Sequence, residues 1–170
     1  MKLYVISGPC GCGKTTLATA FAGTLADGPV CLIHGDDFQT WLTAQTGREL
    51  PWPETLAFNW ECILSVAGHA LRRGLDVVVD YVVEDELPRL QALAAQHDAA
   101  LHVVVLTASE ETLRQRLAAR GDAWLTERAL FLKKKLERAP ENRGCLLDVT
   151  GLTQAQALER LTRQLRQRSE

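Results

Sequence analysis

Residues 8–15, Gly8-Pro9-Cys10-Gly11-Cys12-Gly13-Lys14-Thr15, fit the spacing G-x-x-x-x-G-K-[ST]. They stand between the apolar run Leu3-Tyr4-Val5-Ile6 and a helical pattern that begins at Leu17. No other stretch restricts the fold so strongly, because this motif works only as the turn between a strand and a helix. Its glycines let the backbone curl until successive N–H groups point inward, and the helix that follows presents its positive end to anions. The loop therefore predicts a phosphate cradle built on Gly8, Gly11, Cys12 and Gly13. Lys14 is placed to reach the β- and γ-phosphates of a nucleotide, Thr15 to offer its hydroxyl to Mg²⁺, and Thr16 to reach the α-phosphate.

Five short apolar runs recur along the chain, at residues 3–6, 30–33, 77–79, 101–106 and 145–149. They are continuous rather than alternating, rich in Val and Leu, and separated by helical patterns, as in strands covered on both faces. The fold class predicted is α/β, a parallel sheet with right-handed crossovers and helices on either side. At 170 residues the chain is expected to form one domain spanning 1–170, with a core that needs no disulfide or metal.

The helices carry their own punctuation. Leu56, Trp60, Ile63, Leu64, Ala67 and Leu71 follow a 3.6-residue period, and Gly74 stands where a helix-ending glycine belongs. Pro51-Trp52-Pro53 reads as a rigid loop ahead of that helix. Glu84, Asp85 and Glu86 before Pro88 read as a first helical turn. Ser109 opens the next helix and Gly121 closes it, while Thr153 and Gln156 form a capping box ahead of Leu158, Leu161 and Leu165.

Nineteen basic against 21 acidic residues leave a net charge of −2, which argues against a nucleic-acid or membrane partner. Arg160, Arg163, Arg166 and Arg168 lie beside the last leucines and read as a solvated helix face. No apolar stretch approaches a membrane span, and Met1-Lys2 leads into a strand rather than a signal peptide. A cytoplasmic monomer or homodimer is expected. Five scattered cysteines suit a reducing compartment. Cys10-x-Cys12 lacks the second pair that a zinc site uses. Cys12 stands close to a helix N-terminus, where a thiol pKa falls, which would make the loop sensitive to oxidation.

Ligands of open α/β sheets bind beyond the carboxyl ends of the strands. There the second apolar run leads into His34-Gly35-Asp36-Asp37-Phe38 and the third into Asp80-Tyr81. Asp36, after a glycine, is expected to face the space above the loop, where an acceptor hydroxyl needs a base or an orienting group. One of Asp36 and Asp37 is expected to cap a helix starting near Phe38. Asp80 fits the strand-then-aspartate pattern that holds Mg²⁺ or its water shell. Arg116 and Arg120, at i and i+4 on a face apart from Leu113 and Leu117, are candidates to neutralise transition-state charge, with Arg128 beyond them. Arg114 and Lys133 to Lys135 read as solvated. Between residues 38 and 62 the aromatic density suggests an acceptor region, with Trp41, Arg48, Trp52 and Tyr81 as pocket candidates beside Asp36 and Asp37, and Trp60 in the core.

Residues 8–16, Gly35-Asp36, the run 77–80, Leu113-x-x-Arg116-Leu117-x-x-Arg120 and Leu147-Asp148-Val149-Thr150-Gly151 together resemble the small P-loop kinases of the nucleoside-monophosphate-kinase superfamily. Within it the pattern is similar to gluconate-kinase-like, shikimate-kinase-like and antibiotic-phosphotransferase-like proteins. The resemblance spans nearly the whole chain. It implies a three-layer P-loop NTPase fold with a five-stranded sheet of order 2-3-1-4-5 and a helical lid over about 114–138. It also implies ATP with Mg²⁺, a lid arginine at Arg116 or Arg120, Asp36 on the acceptor, and an adenine pocket near Thr150 and Gly151. One departure is that Phe38-Gln39-Thr40 follow the aspartates where gluconate kinases carry a histidine.

The expected activity is ATP-dependent transfer of a γ-phosphoryl group to a hydroxyl of a small molecule: a sugar acid, a nucleoside or nucleotide, or an antibiotic. The alternative is a regulatory NTPase or switch with no small-molecule acceptor. Against it, the chain has no Asn-Lys-x-Asp guanine-reading motif, and an arginine-rich lid has no obvious use in a switch.

Overall fold

A computed structural model of the chain describes residues 1–25, 28–43 and 50–166. Strand and helix alternate: β1 (Lys2–Ser7), α1 (Lys14–Ala22), β2 (Val30–His34), α2 (Gly35–Thr43), α3 (Trp52–Arg72), β3 (Asp76–Asp80), α4 (Leu87–Gln96), β4 (Ala100–Thr107), α5 (Glu110–Ala119), α6 (Thr126–Arg138), β5 (Leu146–Asp148) and α7 (Gln154–Arg166). The strands form one five-stranded sheet in the order β2-β3-β1-β4-β5. Every pairing is parallel. Fold class and strand order are those expected. Among the described residues, no helix is long and apolar enough to cross a membrane.

Successive strand residues point to opposite faces, and here both faces are dry. Leu3, Val5, Val77, Val79, Val103 and Val105 pack with Trp60, Ile63, Leu71 and Leu90 of α3 and α4. Tyr4, Ile6, Val78, Val104 and Leu106 pack with Leu17, Phe21, Leu113, Leu161 and Leu165 of α1, α5 and α7. A strand with no wet face needs no polar alternate, hence the unbroken apolar runs. Central β1 ends with β3 on one side and β4 on the other, so its loop emerges where the sheet's connections diverge.

Several helix ends follow their local chemistry. Gly74 (φ 78°) ends α3, with Leu75 N–H donating to Ala70 O at 3.1 Å and Gly74 N–H to Leu71 O at 2.9 Å. Ser109 Oγ accepts from Thr112 N–H at 3.1 Å. The capping box of α7 closes reciprocally, Thr153 N–H to Gln156 Oε1 at 2.9 Å and Gln156 N–H to Thr153 Oγ1 at 3.3 Å.

Three starts differ from expectation. Pro51-Trp52-Pro53 is not a loop but the opening of α3, with Pro51 at the cap and Glu54 N–H donating to its carbonyl at 2.9 Å. First-turn N–H groups have no helical partner to lose, so proline fits there. Helix α2 begins at Gly35 rather than near Phe38, directly off β2, so Asp36 and Asp37 occupy its first turn. The glycine is forced by contact: a Cβ on Gly35 would lie 2.4 Å from Tyr81 Cδ2 and 2.8 Å from Ile63 Cδ1. The acids 84–86 precede α4, and Glu86 Oε2 ties the turn by accepting from the N–H groups of Glu84 and Asp85 at 2.9 and 3.1 Å.

The segment expected to form a lid is the second half of α5, a short 3₁₀ turn (Ala123–Leu125) and α6. Helix α6 buries Ala129, Leu130, Leu132 and Leu136, so only the turn, with Trp124 78% exposed, stands clear of the body. Lys133 is not a solvated face residue: it folds onto Glu137, and its Nζ lies 3.4 Å from Thr107 Oγ1.

Candidate active site

The loop after β1 takes three positive-φ turns, at Gly8 (φ 143°), Gly11 (φ 81°) and Gly13 (φ 95°). At Gly8 a side chain is excluded outright, since its Cβ would lie 2.5 Å from Leu106 O. Lys14 Nζ folds back to donate to Pro9 O at 3.2 Å. Burial works to lower the Lys14 pKa, but Cys12, Asp80, Cys10 and Asp36 around it hold it above the ordinary lysine value. The ammonium therefore stays charged. Thr15 and Thr16 are exposed on the first turn of α1, and Thr15 O accepts from Thr19 Oγ1 at 2.9 Å.

The expectation of a lowered thiol pKa at Cys12 is overturned. Its side chain is packed under the loop, 1% exposed, and burial pushes the thiol pKa up despite Lys14 nearby. A desolvated thiol resists ionising, and that outweighs the helix end. Cys10 is half-buried.

Parallel register sets His34 of β2 beside Asp80 of β3. Asp80 is 4% exposed, and its Oδ2 lies 3.1 Å from His34 Nδ1, whose ring reaches Thr19 Oγ1 at 3.5 Å through Nε2. His34 was not singled out in the sequence. The signal was its place at a strand end one residue before Gly35, opposite the end of β3. Thr15 and Asp80 are hard oxygen donors, a set that fits Mg²⁺, which takes one or two carboxylates and keeps several waters. Among the described residues, no group of three or more His, Cys, Asp or Glu forms a metal cage.

Two cavities flank the loop. One, of about 390 Å³, lies between Gly11, Cys12, Gly13 and Thr16, the arginines Arg116 and Arg120, and Val149, Leu152 and Gln154 after β5. Arg116 Nη1 donates to Cys12 O at 3.3 Å, so this arginine is docked on the loop itself. Arg120 pairs with Asp122 at 2.7 Å and is 62% exposed at its side chain. Thr150 and Gly151 do not line this cavity. Thr150 Oγ1 instead accepts from Ser109 N–H at 2.8 Å, tying the turn after β5 to the start of α5.

The second cavity, of about 380 Å³, has Cys10, Lys14, Asp36 and Gln39 on one side and Trp52, Tyr81, Val82, Trp124, Leu125, Arg128 and Leu132 around it. Asp36 has its pKa raised by burial, with Asp80 and Asp37 adding to the effect and Lys14 and Arg120 opposing it. Tyr81 is fixed by Asn59 Nδ2, which donates to its hydroxyl at 2.9 Å, and by the edge of Trp60. Ser7 Oγ accepts from Val83 N–H at 2.9 Å and pins the chain after β3. The Arg128 guanidinium is bound by Glu84 and lies 5.5 Å from the Phe131 ring centroid.

Of the expected acceptor residues, Asp36, Trp52 and Tyr81 line this cavity and Asp37 does not. Trp41 packs edge-on against Phe38 outside it, and Arg48 lies outside the described residues. Trp124, Leu125 and Leu132 had no local signal as site residues, because the 3₁₀ turn and α6 reach the cavity only through tertiary packing, whereas the signal for Val82 was its place just beyond the carboxyl end of β3. A larger hollow, about 710 Å³ beside Lys2, Asp76 and Arg166, lies at the amino ends of the strands. It holds none of these groups, so we place the chemistry at the carboxyl ends.

A family model described as an AAA domain matches residues 3–130. No curated protein sequence matches the chain. Among solved structures, the chain is similar to the tunicamycin resistance protein of Deinococcus radiodurans, with 19% identity, 96% of this chain and 94% of that chain covered, and a TM-score of 0.72. It is similar to a gluconokinase from Sinorhizobium meliloti, with 21% identity, 99% and 98% covered, and a TM-score of 0.60. A sugar kinase from Janibacter sp. gives 17% identity, 98% and 95% covered, and a TM-score of 0.64. At these identities the structural likeness establishes the α/β P-loop kinase-like fold. The sequence match covers well over half of the chain, and the chain belongs to the AAA domain family.

Proposed function

We propose that the protein is an ATP-dependent phosphotransferase that moves the γ-phosphoryl group to a hydroxyl of a small molecule. The observation that carries this is the pair of cavities flanking one phosphate loop, with Lys14 and Asp36 both lining the second. A switch that only hydrolyses nucleotide has no use for a second, aromatic-walled cavity there. The gluconokinase and the sugar kinase among the structural neighbours support the same reading.

ATP would lie with its base between Leu152 and the Arg116/Arg120 face and its phosphates in the loop. Mg²⁺, when bound, would supply charge neutralisation on the β- and γ-oxygens, with Thr15 and Asp80 as its protein donors. The acceptor oxygen forms a bond to the γ-phosphorus while the bond to the β,γ-bridging oxygen breaks, and that electron pair stays on ADP. The hydroxyl proton passes to the Asp36 carboxylate. Catalysis is then positioning plus electrostatics, with Lys14 and Arg116 already fixed on the loop. Five free cysteines suit a reducing cytoplasm, and no macromolecular partner is needed.

A screen of sugars, sugar acids, nucleosides and antibiotics for acceptor-dependent ADP release tests the proposal. A rate that rises with one acceptor class is expected, and Lys14→Ala should lower it by about 100-fold or more without loss of fold. ATP hydrolysis indifferent to every acceptor would favour the switch.

A further inference from the structure

The acceptor cavity is chemically lopsided. Trp52, Tyr81, Val82, Trp124, Leu125 and Leu132 give it apolar and aromatic walls. Three charged side chains reach it, and two of them are engaged. Lys14 belongs to the phosphate loop, with Nζ on Pro9 O. Arg128 is neutralised by Glu84, which also takes Lys135 Nζ at 3.1 Å. With the charged Lys14 ammonium committed to the phosphates of a bound nucleotide, Asp36 is the charge left to meet an acceptor among the described residues. A carboxylate or phosphate ester placed here would meet that carboxylate and lose its water while both cations of the lining, Lys14 and Arg128, are engaged elsewhere. Gln39 adds one amide to the lining, so a polyhydroxylated sugar acid would still set most of its hydroxyls against indole and leucine surface, leaving them unpaired.

The walls instead suit a flat ring. Trp52, on the first turn of α3, and Trp124, on the 3₁₀ turn, are 51% and 78% exposed, so their faces are available to stack. Tyr81 is a rigid back wall, held by Asn59, by Trp60 and by the missing side chain at Gly35. At about 380 Å³ the space fits one or two rings with a short hydroxylated arm.

Resting on the phosphotransferase reading, we propose that the acceptor is an uncharged alcohol with an aromatic or similarly flat apolar body. It lies against Trp52, Tyr81 and Trp124 with its hydroxyl at Asp36, and anionic acceptors are rejected.

A matched pair tests this: 3-phenylpropane-1,2-diol and 3-phenyllactate, titrated into the full chain with Mg²⁺ and a non-hydrolysable ATP analogue, and followed by ligand-observed NMR. The diol should bind about tenfold tighter or more. Trp124→Ala, at an exposed side chain, should weaken the diol about fivefold without moving the unfolding midpoint. Glu84→Gln should release Arg128 and narrow the preference by strengthening phenyllactate. Equal or tighter binding of phenyllactate by the native chain, or no binding of the diol, overturns the inference, as does an unchanged preference in Glu84→Gln. Acceptor-dependent ADP release with gluconate but with no neutral aromatic alcohol overturns the inference and leaves the phosphotransferase standing. Binding of the diol with no ADP release from any acceptor upholds the cavity's preference and overturns the phosphotransferase.

Discussion

The carboxyl of Asp36 faces Lys14, yet burial, with Asp80 and Asp37 nearby, holds its pKa above the ordinary carboxylate value. A group so shifted binds its proton more tightly folded than unfolded. Its contribution to stability is present below the unfolded value and is lost as pH rises through the folded one. Asp36→Asn cannot ionise, so at pH 7 it should unfold at a higher temperature than the native chain, and the gap should close below about pH 4. A lower midpoint for the variant at pH 7 would contradict the assignment. In the proposed reaction Asp36 takes the hydroxyl proton, which requires its carboxyl to be ionised. The acid limb of kcat should therefore lie above about pH 4, and Asp36→Asn should cost kcat about 100-fold while leaving the KM for ATP near its native value. At this scale the sequence was legible wherever a motif fixed a residue's neighbours. The strand–turn–helix that carries Lys14 and Thr15 could be placed in advance, whereas the raised thiol of Cys12 could not. Its burial depends on packing around Gly8, which no spacing in the sequence records.

Helix α2 shows what one absent side chain does for an element. Gly35 lets the helix leave β2 with no connecting loop, pressed onto the Tyr81 ring and Ile63. Gly35→Ala should destabilise by about 1–3 kcal/mol through overpacking, read as a lower urea midpoint with unchanged slope. Activity should fall as well, because Tyr81 and Asp36 are displaced together. The strands were the most legible elements, since burial on both faces leaves an unbroken apolar run. Helix starts were the least legible. Pro51 to Pro53 carry loop chemistry and first-turn chemistry in the same letters, and Gly35 carries its reason in a contact made 46 residues further on.

On the scale of the molecule, the sheet brings two independent sets of walls to one loop. If the loop holds nucleotide, a non-hydrolysable ATP analogue with Mg²⁺ at 100 times its Kd should raise the unfolding midpoint by roughly 5–10 °C. Lys14→Ala should remove most of that rise, and an equal rise in the variant would count against the phosphate cradle. The order of the sheet could be expected from sequence by resemblance, and Asp36, Trp52 and Tyr81 of the second cavity could be named, while its far wall could not. That wall comes from the 3₁₀ turn and α6, which lie more than 40 residues beyond Tyr81 and share no spacing with it. That separation has an evolutionary consequence. The cavity beside Arg116 and Arg120 draws on the loop, α5 and the turn after β5, and Trp52, Trp124 and Leu132 do not line it. On the proposed phosphotransferase reading, a lineage with this architecture could exchange its acceptor by drift at a few aromatic and aliphatic positions while inheriting its phosphate chemistry.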